Sequence, residues 1–132
     1  MPYEEIPHTA DWSLRVWANS LPELFAESAR GMNSLSGAKP IPGARITRSF
    51  TASAPEPESL LVAFLSELVY EAEQYRHIFD EFKIDLKTQN LDMVMTGSPI
   101  LSIDKSIKAV TYHNLQIRST EAGFEVEIVF DV

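Results

Sequence analysis

Leu60-Leu61-Val62-Ala63-Phe64-Leu65-Ser66-Glu67-Leu68-Val69-Tyr70 is the stretch on which the fold turns. Leu60, Leu61, Phe64, Leu65, Leu68 and Val69 recur in pairs four residues apart, a dense apolar stripe at helical period. It predicts the strongest helix of the chain. Pro55 and Pro57 stop whatever precedes it and suit its first turn, and the helix runs to about Tyr75. A helix with so broad an apolar face must be covered, and its neighbours on either side read as strands.

Upstream, Ile46, Arg48, Phe50 and Ala52 mark one strand. Further upstream, Ser20-Leu21-Pro22-Glu23 fits a capping box, with Ser20 as N-cap, Glu23 three residues on and proline where a missing N–H costs nothing. Leu24, Phe25, Ser28, Ala29 and Met32 follow at helical spacing, ending near Gly37. Gly37–Gly43, with two prolines, reads as a loop. Before that helix, Trp12, Leu14 and Val16 alternate with Ser13 and Arg15, a strand signal.

Downstream the chain reads as all-β. Phe82, Ile84 and Leu86 alternate with Lys83, Asp85 and Lys87, and Leu91, Met93 and Met95 alternate next. Gly97-Ser98-Pro99 is expected to be a turn. Ile107–Arg118 is a long β-rich run, Glu121-Ala122-Gly123 a hairpin turn, and Phe124, Val126, Ile128 and Phe130 alternate against Glu125 and Glu127. The order β-α-β-α-β-β-β-β predicts an α+β fold, two helices on a largely antiparallel sheet. With 132 residues and neither a repeat nor a boundary, residues 1–132 read as a single domain.

Charge and composition narrow the function. Eleven basic residues stand against 19 acidic ones, a net charge of −8. Such a surface repels a phosphate backbone, so any RNA is reached only indirectly. It suits a basic partner or a cation, and it also keeps a protein soluble. The absence of cysteine excludes disulfides, thiolate metal sites and cysteine nucleophiles. No apolar run matches a signal peptide or the roughly 20 residues of a membrane span, so a soluble, cytoplasmic protein without membrane contact is expected. No G-x-S-x-G, phosphate-cradling glycine loop or H-E-x-x-H occurs, which argues against an enzyme.

Three clusters could carry chemistry: His8-Thr9-Ala10-Asp11 before the first strand, Lys108-Ala109-Val110-Thr111-Tyr112-His113, and the end of the chain at Asp131 and Val132. If the first and last strands pair antiparallel, Asp11, Asp131 and the Val132 carboxylate converge. Three such groups repel one another, and a hard divalent cation with oxygen ligands relieves the repulsion. Calcium or magnesium fits such a site, and zinc fits it less well. The same residues have plainer readings. Asp11 serves equally as a turn residue, Asp131 as a solubilising chain end, His8 and His113 as packed or hydrogen-bonded histidines, and Lys108 as a cation facing water or a carboxylate.

Four segments together resemble the archease family: His8-Thr9-Ala10-Asp11, the Leu60–Tyr70 helix, Lys108–His113 and the ending Phe130-Asp131-Val132. They match in order and spacing across essentially the whole chain. Two stretches differ: Gly97-Ser98 and Asp104-Lys105-Ser106 stand where the family carries a Gly-Glu and a basic-His pair, and Ala54–Glu58 replaces a more acidic loop. The resemblance implies a protein cofactor of the GTP-dependent RNA ligase of tRNA splicing. That ligase joins 3′-phosphate or 2′,3′-cyclic phosphate ends to 5′-hydroxyl ends, and the cofactor promotes its guanylylation and multiple turnover. The resemblance also implies a bound divalent cation, calcium foremost with magnesium or manganese as alternatives, held by Asp11, Asp131 and the terminal carboxylate of Val132. His8, Lys108 and His113 are then candidates to orient those carboxylates or contact the partner. The rival readings are a metal-dependent hydrolase or phosphotransferase and a chaperone-like interaction module.

Overall fold

The computed structural model describes residues 2–7 and 11–132. The elements in chain order are β1 (Tyr3–Pro7), β2 (Asp11–Ala18), α1 (Leu21–Ser36), β3 (Lys39–Pro40), β4 (Ile46–Ser53), α2 (Pro57–Tyr75), β5 (His77–Leu86), β6 (Asn90–Ser102), β7 (Ala109–Val110), β8 (Arg118–Thr120) and β9 (Gly123–Asp131). The strands fall into two sheets. One runs β1-β2-β9-β7 with β8 also on β9; in the other, β6 pairs with β3, β4 and β5. Every pairing is antiparallel. The expected α+β architecture is present, with the strands divided between two sheets.

Both helices touch both sheets. Their apolar faces and the inner faces of the sheets close over one core that includes Leu14, Phe25, Leu61, Phe64, Phe79, Met95, Ile128 and Phe130. At about 25 cal/mol per Å2 of apolar area, burial of these large side chains is the main force holding the layers together. Phe64 is central: its ring stacks on Phe25 of α1 at 6.0 Å and meets Phe82 of β5 edge-on at 5.5 Å. The α1 start is capped as expected, with the Glu23 N–H donating to Ser20 Oγ at 3.3 Å. Its end is Gly37, left-handed at φ 66°, whose N–H returns to Asn33 and Ser34.

Two expectations are corrected. Gly97-Ser98-Pro99 is not a turn but the middle of the 13-residue strand β6. Pro99 fits there because, on that edge of β6, the pairing with β4 stops at Gly97 and the pairing with β3 starts at Ile100, so no partner on that side lacks the proline's missing N–H. On the other side β5 shifts register between Phe79 and Glu81, leaving Asp80 bulged. Arg45 holds the bulge, reaching Asp80 Oδ1 at 2.7 Å and Ser98 Oγ at 2.9 Å. Gly97 is required because a Cβ there would collide with the Ile78 carbonyl.

Ile107–Arg118 is likewise not one strand; only Ala109–Val110 and Arg118 lie in strands. The chain turns at Asn114, left-handed at φ 53°, where the Leu115 N–H donates to the Tyr112 carbonyl at 3.1 Å. The Ile117 N–H donates to Glu58 Oε2 in the first turn of α2 at 2.9 Å. These bonds take the place of a sheet ladder, while Ile107, Leu115 and Ile117 still pack against the core.

Candidate functional site

The last strand returns beside β2, the strand that the alternation marks first, in the register that brings the two aspartates together. β2 and β9 pair from Asp11 opposite Asp131 to Ala18 opposite Phe124. Residues directly opposite in an antiparallel pair project from the same face, so both carboxylates stand at one end of the sheet. The register follows from the cores of the two strands: Leu14 faces Ile128 and Val16 faces Val126, and a one-residue slip would turn these to solvent. On the far side of β9, Ala109 lies opposite Asp131, and the Lys108 N–H donates to the Asp131 carbonyl at 2.8 Å. Asp11 is half-buried, Asp131 is exposed, and half-buried Val132 packs against the core.

Like charges directly opposite on neighbouring strands destabilise a sheet. No ion pair reaches either aspartate among the described residues. Lys105 is directed elsewhere: its Nζ sits 4.3 Å from the ring centre of Trp12, the residue after Asp11. Its segment is pinned to the end of α1 by the Asp104 and Lys105 N–H groups, both bonded to the Ser36 carbonyl at 3.0 and 2.9 Å. Sequence reasoning missed Lys105 and Trp12, because their contact depends on where the 103–108 segment lands.

The donor set is two carboxylates and main-chain oxygen, chemistry that fits a hard cation. No three His, Cys, Asp or Glu side chains gather into a metal cage among the described residues. Of the other candidates, Lys108 is exposed and joins the site through its backbone. His113 lies on the turn beyond β7, with local bonds only: its N–H to Thr111 Oγ1 at 3.3 Å and its ring beside Asn114 Nδ2 at 3.3 Å. His8 lies outside the described residues.

A second titratable cluster was not foreseen. Glu71, buried at 6% exposure near the end of α2, lies 3.1 Å from His77 Nδ1 and 3.9 Å from Arg48 Nε. The signal that could have found Glu71 is its place on the apolar stripe, three residues after Leu68 and seven after Phe64.

The chain matches the model of the Archease protein family over residues 3–132. It is 34% identical to the archease of Methanosarcina barkeri, covering 98% of this chain and 95% of that one. It is 30% identical to the Danio rerio archease, over 98% of this chain and 85% of that one. Among solved structures it resembles a Thermotoga maritima archease, described as a possible chaperone, with a TM-score of 0.73 and 22% identity over 98% and 96% of the two chains. It resembles equally a Methanobacterium thermoautotrophicum protein, with a TM-score of 0.73 and 21% identity over 99% of each chain. Those two likenesses speak for the fold, and the family match and the closer relatives speak for descent: the chain belongs to the archease family.

Proposed function

We propose that this archease is a cytoplasmic protein cofactor, not itself an enzyme, that activates a GTP-dependent tRNA-splicing RNA ligase with the help of a divalent cation. The observation that carries the reading is the register of Asp11 opposite Asp131, in a chain of this family. Asp11, Asp131 and the Val132 carboxylate hold the cation, calcium foremost. When bound, it neutralises phosphate charge and helps orient a transferring nucleotidyl group. The chain's own part is positional. The β2–β9 ladder fixes the spacing of the two aspartates, and the Lys108 N–H ties the Asp131 backbone to β7. Lys108, His8 and His113 contribute contacts around that edge to carboxylates or partner. The net charge of −8 fits docking to the cationic nucleotide site of the ligase, which itself holds the RNA.

The test is multiple-turnover ligation by the cognate ligase with GTP. Wild-type protein is expected to raise the number of turnovers, and Asp11→Ala is expected to abolish that gain. No stimulation by the wild type, with an active ligase, would overturn the reading in favour of a hydrolase or a chaperone-like module. Deleting Val132 is expected to weaken calcium binding more than Val132→Ala does, since only deletion moves the terminal carboxylate.

A further inference from the structure

The last turns of α2 run against the helix dipole. A helix C-terminus carries partial negative charge and favours cations. Yet α2 contains Glu58, Glu67, Glu71 and Glu73 and no basic residue. Glu58, in the first turn, is well placed. Glu71 is answered by His77 and Arg48. Glu73 shares a recess of about 300 Å3 with Arg76 and Lys108. Glu67 has no ion-pair partner among the described residues.

Beside Glu67 lie two of the most exposed large side chains of the protein, Tyr70 at 49% and Tyr75 at 52%. Their rings meet edge-on with centroids 5.9 Å apart. Tyr75 in turn stacks on the His77 ring at 6.0 Å and 21°. His77 is fixed from behind by Glu71 and by an edge contact with Phe79 at 6.3 Å. The pair is therefore preorganised, and an incoming group need not order it.

Glu67 is the acid beside this platform that lacks an ion pair among the described residues. The Tyr70 phenol is held above its ordinary range by hydrogen bonding with Tyr75, then by that neighbour's charge, burial and the carboxylates of Glu67 and Glu71. Burial, and after it the charge of Glu71, push the Glu67 carboxyl upward as well. The Glu67 carboxylate would be relieved by a cation, and the Tyr70 phenol, which keeps its proton, offers that cation a neutral ring.

We propose that Tyr70, Tyr75 and Glu67 form a docking face for an arginine side chain carried by a protein partner. Arginine suits it better than lysine: a planar guanidinium stacks on an aromatic face while its fork meets a carboxylate. A nucleic acid is disfavoured by the Glu67 carboxylate and by the net charge of −8. A second copy of this chain is disfavoured by a net charge of −8, and four of its six arginines, Arg15, Arg30, Arg45 and Arg48, already lie in ion pairs. Tyrosine and arginine are enriched where protein interfaces concentrate their binding energy. This face does not depend on the proposed ligase role or on the aspartate pair.

The test is an amide chemical-shift titration of the whole chain with blocked Gly-Arg-Gly and Gly-Lys-Gly peptides. The arginine peptide is expected to shift resonances at Glu67, Tyr70 and Tyr75 and to bind several-fold tighter than the lysine peptide. Tyr70→Ala with Tyr75→Ala is expected to weaken it about tenfold, since each exposed ring contributes a modest cation–π attraction. Tyr70→Phe, which keeps the ring, is expected to retain most of the binding. Glu67→Gln is expected to weaken binding while raising thermal stability, a split that a merely structural residue would not give. Equal binding of the two peptides, shifts confined to other acidic surfaces, or unchanged affinity in the double variant would each overturn the proposal.

Discussion

The aspartate pair of β2 and β9 and the Glu71 cluster of α2 and β5 both set acids where electrostatics disfavours them, and they resolve the problem differently. Glu71 is buried, and its own chain answers it with His77 at 3.1 Å and Arg48 at 3.9 Å. Asp11 and Asp131 stand opposite each other at a sheet end with no ion pair among the described residues, while Lys105 is spent on Trp12. An acid satisfied from within serves the fold. An acid pair left unsatisfied at an accessible edge costs stability, and such departures from local consistency tend to mark functional places.

Substitutions test whether the two acidic groups differ in this way. Glu71→Ala is expected to have the largest effect, a loss of about 2 kcal/mol, because it strips half-buried His77 of its partner and leaves a gap where a buried side chain stood. Urea unfolding would measure it, and a loss near zero would place Glu71 with the unsatisfied acids. Asp11→Asn is expected to act in the opposite direction. In metal-free buffer it should stabilise the chain by about 0.5 kcal/mol by removing a cross-strand repulsion.

The smallest effect is expected for Glu67→Gln, a gain of about 0.3 kcal/mol at neutral pH once solvent screening is allowed for. Its pH dependence carries a sign. The folded-state pKa of Glu67 is raised, so the folded chain binds its proton more tightly than the unfolded chain does. The native carboxylate therefore detracts from stability above that raised value, and the penalty vanishes below the ordinary glutamate range. Thermal unfolding at several pH values should show the gain shrinking as the pH falls, and a gain that grew on acidification would contradict the burial of this group.

Much of this was readable from residue types. Alternation in Phe124–Phe130 and Trp12–Val16 places Leu14, Val16, Val126, Ile128 and Phe130 inside, as the structure does, but misses the burial of Ser13 and Val129 on the opposite face; Ser20 and Gly37 bound α1 as their chemistry requires. The meeting of Asp11 and Asp131 was readable too, given antiparallel pairing of the first and last strands. What failed were places where tertiary partners overrule local signals. Gly97-Ser98-Pro99 has turn chemistry, but its neighbours change from β4 to β3 at that point and Arg45 clamps the bulge opposite, so the strand continues. Ile107–Arg118 has strand composition, but Asn114 and Glu58 draw its backbone off the sheet. The short strands β1 and β3 have too few residues to show a period. The Glu71 cluster joins residues from three elements, and no spacing along one of them reports their meeting.

The most direct measurement is calorimetric titration of the metal-free protein with calcium, comparing wild type with Asp11→Ala and Asp131→Ala. One ion per chain is expected for the wild type, with a matching rise in thermal stability, and both variants are expected to lose it. Equal calcium binding by all three proteins would contradict a cation held between Asp11 and Asp131.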